Sequence, residues 1–428
     1  MERLELARLL RASLPAEVKG VGIPPQAAPG AGRVVVEERD PLRFMGALAS
    51  AVEGTGRVFL ADPHRGRAGR SATDLAASQD DARADPSQAQ LGWLMIPSGG
   101  TGGGLKLARH DHETLSAAVD GFSRFFGAGP VNSLGILPLH HVSGLMAWMR
   151  SALTGGEYKP WDWKRLEEGG LPELAAGRWF LSMVPTQLQR LLASASAVGW
   201  MRGFSAVFVG GGPVWPELAS AAADARLPVS LSYGTTETAA MVAALRPEDF
   251  LAGERSSGEA LPHASIDLTP DGVVRVAGPS LFRGYYPDWL GGDADCSEPR
   301  RFLTGDLGTI DGRGRLHILG RGDLVIITGG RKADPLEIER ALLATGEFSD
   351  VVVVGVPDPE WGEAVVACYP AGQKQPDAAR VARGLADLPA FKRPRRFEPV
   401  PDWPRNPQGK VDRRALLGRL PAPGVNRD

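Results

Sequence analysis

Short β-branched or apolar runs, each ending in small or turn-forming residues, recur along the chain: GRVFLAD (56–62), SLGILPL (133–139), WFLSMVP (179–185), SAVFVGGG (205–212) and PVSLSYG (228–234). Helix-like segments separate them. Strands alternating with helices need crossover connections rather than tight hairpins, so the pattern predicts an α/β fold with a largely parallel sheet. Two helix starts are also legible. Thr186, with Gln189 three positions on, has capping-box spacing and predicts a helix over QLQRLLASA. Asp334, Pro335 and Glu337 predict another across ADPLEIERALLATG, with Gly346 near its end.

A length of 428 residues suggests two to three domains. The clearest boundary is LGRGDLVIITGGRKAD (319–334), where glycine clusters flank a short apolar strand and a new helix starts straight after. The expected organisation is a large N-terminal domain, 1–322, of mixed and parallel sheets with helices, and a small α+β C-terminal domain, 323–428. The polar stretch 70–90 reads as a solvated connection.

Charge and cysteine usage narrow the function classes. Lys and Arg number 48 against 50 Asp and Glu, which leaves no global field to attract nucleic acid or an anionic membrane. Cys296 and Cys368 lie far apart, a pattern that fits a reducing compartment and gives neither a disulfide framework nor a cysteine zinc site. A cytoplasmic location is the expectation. Leu4, Leu6, Leu9 and Leu10 stand among charged residues, so the N-terminus reads as an amphipathic helix and not as a signal peptide. No segment reaches the roughly 18 apolar residues of a membrane span. His110 with His112, and His140 with His141, lack a third ligand at recognised spacing and read as non-metal. No GxSxG elbow offers a hydrolase nucleophile.

IPSGGTGGGLKLARHDHETL (96–115) carries five glycines in the six positions 99–104 and then Lys106. Bare backbone followed by a cation suits an anion cradle, although a flexible linker has similar composition. The string lacks the adjacent Gly-Lys-Ser/Thr of a Walker loop.

Further motifs come in a fixed order: FVGGGPV (208–214), SYGTTET (232–238), FLTGDLG (302–308), GRGD (320–323), GRKADPLEIE (330–339) and NPQGKVDR (406–413). From about residue 90 to 415 the chain thereby resembles the adenylate-forming superfamily of acyl-CoA ligases, nonribosomal adenylation domains and luciferases. The resemblance implies that the glycine loop closes over ATP phosphates through Ser98, Thr101 and Lys106. Relative to the family pattern, Gly99 replaces Ser, Gly102 replaces the second Thr and Leu105 replaces Pro. It places adenine between Gly210, Gly211 and Gly212 and the Tyr233, Gly234, Thr235 segment, with Tyr233 stacking on the purine. Thr236 would contact the α-phosphate and Glu237 would bind Mg²⁺, a cation that prefers hard oxygens and shares them with substrate phosphates. Asp306 and Arg321 would meet the ribose, and Asp323 would be the hinge. Gly329 and Gly330 would help to form the CoA channel, and Lys410 would reach the reacting carboxylate and α-phosphate.

Within that superfamily the likeness is strongest to o-succinylbenzoate:CoA ligases of menaquinone and phylloquinone biosynthesis, carried by the glycine loop, LPLHHVSGLMAWMRSALTGG and SMVPTQLQRLL. It implies ATP, Mg²⁺ and CoA as co-substrates and cofactor, and a small carboxylate as the acid. His141 and Ser143 would lie near the acyl end, Thr186 on the opposing wall, and Arg150 against the retained carboxylate. No nucleic acid or membrane partner is expected, and a homo-oligomer is compatible with the reading. Two alternatives stand beside it: a ligase or stand-alone adenylation enzyme for another acid, and a nucleotide-binding regulatory protein that has lost catalysis.

Overall fold

The structure is a computed structural model that describes residues 1–18, 26–27, 32–63, 92–99, 105–127, 129–286, 294–295, 300–405 and 411–420. The chain divides into two compact units: the first holds Met1–Ser98, Leu105–Thr304 and Gly308–Ile318, and the second runs from Leu319 onward with Gly305–Leu307. The stretch 70–90, Thr101, Cys296 and Lys410 lie outside the described residues.

All five apolar runs are strands, and four of them lie in one seven-stranded sheet. Its order is Glu259–Ala260, Ala240–Ala244, Val229–Thr235, Ala206–Val209, Trp179–Met183, Asn132–Gly135 and Tyr158–Pro160. The five strands from Val229–Thr235 to Tyr158–Pro160 are parallel, and the two at the other edge turn antiparallel. Chain order steps outward from Asn132–Gly135 to one edge and then resumes on its other side at Trp179–Met183. The sheet's topological switch point lies between those two strands. A second, six-stranded sheet of the same unit contains Arg57–Leu60, Leu94–Gly99, Leu105–His110 and Tyr285–Tyr286.

Helices Arg3–Ala12, Pro41–Glu53, His112–Phe126 and Val142–Thr154 contribute to one large apolar cluster, while Pro185–Leu192, Ala195–Met201 and Pro216–Asp224 contribute to another. His112–Phe126 is specified locally at both ends. Asp111 accepts from the N–H groups of Glu113 (3.1 Å) and Thr114 (3.0 Å), the Thr114 hydroxyl accepts from Asp111 N (3.1 Å), and Gly127 closes the helix at φ 56°.

The second unit wraps a five-stranded sheet, Arg331–Ala333, Ile326–Thr328, Gly362–Pro370 and Val352–Asp358 in order with Arg396–Val400 on Gly362–Pro370. Helices Pro335–Ala344 and Ala378–Gly384 share one of its apolar clusters, and Leu416 of the helix Arg413–Leu417 joins another. Asp334 accepts from Leu336 N (3.0 Å) and Pro335 takes the first helical position, as its sequence predicts. Glu337 does not reach back to the cap but pairs with Lys392 at 2.5 Å. The Thr186–Gln189 expectation is corrected. The helix spans Pro185–Leu192, and Val184 N donates to Gln187 Oε1 at 3.0 Å. Proline fits the first position because it has no N–H to satisfy and a preset φ, so the start moves ahead of Thr186.

Candidate adenylate site

Strand Val229–Thr235 runs into a tight turn, Thr236–Thr238, and the chain returns as Ala240–Ala244. Ala239 and Ala240 adopt φ of 53° and 73°, which brings the returning strand so close that a Cβ on Gly234 would stand 1.8 Å from Ala240 O. Only glycine fits there. Thr235 N donates to Thr238 Oγ1 (2.9 Å), closing the turn.

This turn holds Glu237 inward, 6% exposed. Its Oε1 accepts two hydroxyls, Ser98 Oγ at 2.5 Å and Tyr285 OH at 2.8 Å, and its backbone carbonyl accepts from Phe282 N at 2.8 Å. Ser98 is the last residue but one of a strand of the second sheet; Tyr285 pairs with Ala108 on the neighbouring strand that carries Lys106. The Lys106 ammonium lies 4.9 Å from the Tyr285 ring centroid, within cation–π range. Beneath them His110, fully buried, has Nε2 2.8 Å from Thr236 O and Nδ1 3.0 Å from Thr114 Oγ1. A carbonyl only accepts, so Nε2 carries the proton. Burial pushes the His110 imidazole down to about 4, so it is neutral near pH 7.

The carboxyl ends of the parallel strands gather the other expected residues of the first unit. Gly210–Gly212 come directly after Ala206–Val209; a Cβ at Gly210 would meet Ser232 Oγ at 2.8 Å and Ser232 O at 2.9 Å, and Gly211 has φ 72°. Tyr233 is 9% exposed on the adjacent strand. Thr186 stands in the first turn of its helix, and His141 and Ser143 stand at the start of Val142–Thr154. These two helix starts succeed the strands that flank the switch point, where open α/β sheets bind ligands. His140 Nε2 lies 3.7 Å from Asp62 Oδ1, both side chains being 7% exposed, and its ring is 4.3 Å from that of His141.

Arg150 lies on the same helix as Ser143. It sits eight residues along the helix from Val142, roughly 12 Å along the axis from the helix start. Its guanidinium is buried over the Phe122 ring at 4.2 Å and 5.9 Å from Phe208, and burial lowers it to about 10. Phenylalanine faces flank it on the buried middle turns of the helix, Gly144–Ala152.

In the second unit Arg321 Nη1 approaches Asp306 Oδ1 at 3.5 Å, and Gly305 turns at φ 77° beside that guanidinium. Asp323 falls in the turn Gly322–Leu324. Gly329 and Gly330, at φ 56° and 71°, make the turn between Ile326–Thr328 and Arg331–Ala333; Gly329 N donates to Trp361 O at 2.8 Å. Lys410 is outside the described residues, but the chain immediately after it is anchored. Val411 pairs with Arg405, and Arg413 donates to Glu339 Oε1 and Val353 O, both at 2.6 Å.

A family model described as AMP-binding enzyme matches residues 34–286, and one described as AMP-binding enzyme C-terminal domain matches 337–410. The chain belongs to the AMP-binding enzyme family. Among its relatives in the family, 2-succinylbenzoate–CoA ligase of Geobacillus kaustophilus is 32% identical over 308 residues, which are 67% of this chain and 61% of that protein. The enzyme of the same name from Enterococcus faecalis is 30% identical over 292 residues, 66% of this chain and 60% of its own. The chain thus spans about three fifths of these relatives' length. The fold is that of o-succinylbenzoate CoA synthetase (MenE) from Bacillus subtilis in complex with the acyl-adenylate intermediate OSB-AMP, with a TM-score of 0.71 at 21% identity, covering 97% of this chain and 92% of that one. ATP-bound MatB from Rhodopseudomonas palustris gives a TM-score of 0.65 at 28% identity over 90% and 78%.

Sequence reasoning missed Tyr285, His110 and Asp62. Tyr285 lies 48 residues beyond Glu237 and His110 lies 126 residues before Thr236, so no local spacing could join them. The one signal was the position of His110 four residues after Lys106, on the same strand.

Proposed function

We propose that the protein is an o-succinylbenzoate:CoA ligase, which activates its acid with ATP through an acyl-adenylate and passes the acyl group to CoA. The observation that carries the reading is Glu237, a nearly buried carboxylate at a strand's end, adjacent in sequence to Thr236 and hydrogen-bonded to the hydroxyl of Ser98 at the entrance to the glycine loop. The curated relatives supply the acid.

The donor set suits Mg²⁺. Among the described residues no group of three or more His, Cys, Asp or Glu side chains could cage a metal ion. A single carboxylate is what remains for a cation that shares its oxygens with substrate phosphates. When bound, the ion neutralises charge on phosphate oxygens. Glu237 would hold it, and Lys106 would hold the phosphate chain.

A carboxylate is a poor electrophile. Its oxygen attacks the α-phosphorus of ATP, the bond from that phosphorus to the bridging oxygen breaks, and pyrophosphate leaves. Thr236 and the Lys410 ammonium steady the negative charge that grows on the α-phosphoryl oxygens. The CoA thiolate then attacks the acyl carbon and AMP departs. Tyr233 and Gly210–Gly212 seat adenine, and Asp306, with two acceptor oxygens for a diol, seats the ribose beside Arg321. His141, Ser143 and Thr186 line the acyl end at the switch point. The two halves, 1–322 and 323–428, would pivot at Asp323 between steps, with Gly329 and Gly330 on the thiol's path. Two widely separated cysteines support a reducing compartment, and the reading is a cytoplasmic enzyme working on small molecules, alone or as a homo-oligomer.

A second reading, a CoA ligase for another small acid, is supported by Arg150, whose guanidinium packs over the Phe122 ring. Incubation with ATP, CoA and o-succinylbenzoate should yield AMP and a thioester; a thioester from other acids alone would select the second reading. Lys410→Ala should block adenylate formation yet still make thioester from supplied acyl-adenylate. Equal loss of both steps would count against its role.

A further inference from the structure

Glu237 is held in an unusual way for a buried acid. Among the described residues the donors to its carboxylate are two hydroxyls, and both go to the same oxygen: Ser98 Oγ and Tyr285 OH converge on Oε1 at 2.5 and 2.8 Å. The imidazole nearest the turn, His110, is neutral near pH 7. Two donors occupy the two lone-pair directions of Oε1, so a cation arriving at this carboxylate has Oε2 open to it. The phenol of Tyr285 also has a fixed address. Its strand is in register with Ala108, and Phe282, three residues before it, ties its segment to the Glu237 carbonyl at 2.8 Å. Its ring meanwhile carries the Lys106 ammonium at 4.9 Å. One side chain therefore touches both the acid suited to a divalent cation and the lysine of the phosphate loop.

We propose that Tyr285 is a positioning residue that fixes the Glu237 carboxylate with Oε2 presented to the divalent cation and seats Lys106 against the phosphates, so that metal and nucleotide triphosphate are received as one body. This rests on the adenylation reading. Tyr285 touches no reacting atom. It acts by removing the rotation of the carboxylate and the freedom of the lysine before Mg-ATP arrives, which is where preorganisation contributes most.

Calorimetric titration of the full chain with ATP across a range of Mg²⁺ concentrations, and with AMP in chelator, separates the effects. Tyr285→Phe keeps the ring and loses the hydroxyl. It should raise the Mg²⁺ concentration needed for half-maximal enhancement of ATP binding about tenfold, the size of one hydrogen bond to a charged group, and leave AMP affinity unchanged. Ser98→Ala, which removes the other donor to Oε1, should move the Mg²⁺ requirement the same way. Tyr285→Leu should in addition weaken metal-free ATP more than AMP, since Lys106 loses its platform. An unchanged Mg²⁺ requirement in Tyr285→Phe, or an equal loss of AMP and Mg-ATP affinity, overturns the proposal. Wild-type protein that binds AMP but gains nothing from Mg²⁺ with ATP overturns the adenylation reading beneath it, a result distinct from either.

Discussion

His110 shows how a residue can serve the site without facing a ligand. Its Nε2–H meets Thr236 O, and its ring is fully buried at the end of the strand that carries Lys106, just before the helix begun by Asp111. Arg283 ties the same corner, donating to Asp111 at 2.7 Å and Glu113 at 2.5 Å. Replacing His110 by Phe keeps the volume but leaves a buried carbonyl without its donor. The expected loss of stability is about 1–3 kcal/mol, read from urea denaturation, with weaker Mg-ATP binding because the Thr236–Thr238 turn is no longer pinned. His110→Asn, which can donate again, should recover part of both. The sequence offered this histidine only as half of a pair two residues apart, because its partner carbonyl comes from another sheet. Gly234 entered the sequence reading only through the adenine motif; the structure adds that the backbone of Ala240 comes too close for any Cβ there.

Elements were readable where their signals are local. The five apolar runs became strands, and Asp334 capped its helix because Asp and Pro in succession suffice to start one. The start at Val184 was missed because valine has no capping side chain; the bond that marks it comes from Gln187 reaching back. On the helix Val142–Thr154 the burial of Arg150 was not legible, since a guanidinium normally signals solvent, whereas aromatic faces supply this one with a buried seat. In the second unit two helices are joined by one acid. Glu339, 8% exposed on Pro335–Ala344, accepts from Val353 N and Arg413 at 2.6 Å each, and burial raises its carboxyl above the usual range while Arg413 opposes that shift. Glu339→Ala should destabilise the second unit by about 3 kcal/mol, because it leaves both an N–H and a cation without their acceptor. Proteolysis or denaturation monitored on this unit would show it. Because Arg413 lies three residues after Lys410, adenylate formation should fall further than thioester formation. A uniform fall would mean the clamp serves folding alone.

At the scale of the whole molecule, the motif order was legible because each motif is a turn at the end of an element, and turns carry their chemistry in few residues. What joins them was not, since it depends on the pairing of Ala108 with Tyr285 and on the bonds of Ser98 and Tyr285 to Glu237. Folding also leaves the first unit with a pH dependence that no motif announces. His110 and His263 are 0% and 4% exposed, and burial lowers each from the ordinary 6.5 to about 4. In the unfolded chain both take up a proton as pH falls through 6.5, while in the folded unit they resist until about 4. The unfolded state therefore binds more protons throughout that window, and stability declines as pH falls from 6.5 towards 4, with no further contribution from these two groups below it. Glu339, with its pKa raised, works in the opposite sense in the second unit: its burial costs stability as pH rises above the ordinary 4.5. Urea melts across this range should show the first unit loosening on the acid side, with a shallower slope in His263→Gln, which cannot take up the proton. A slope identical in that variant and in wild type would mean that His263 takes up its proton in the folded unit as readily as in the unfolded chain, its burial being offset by a charge partner.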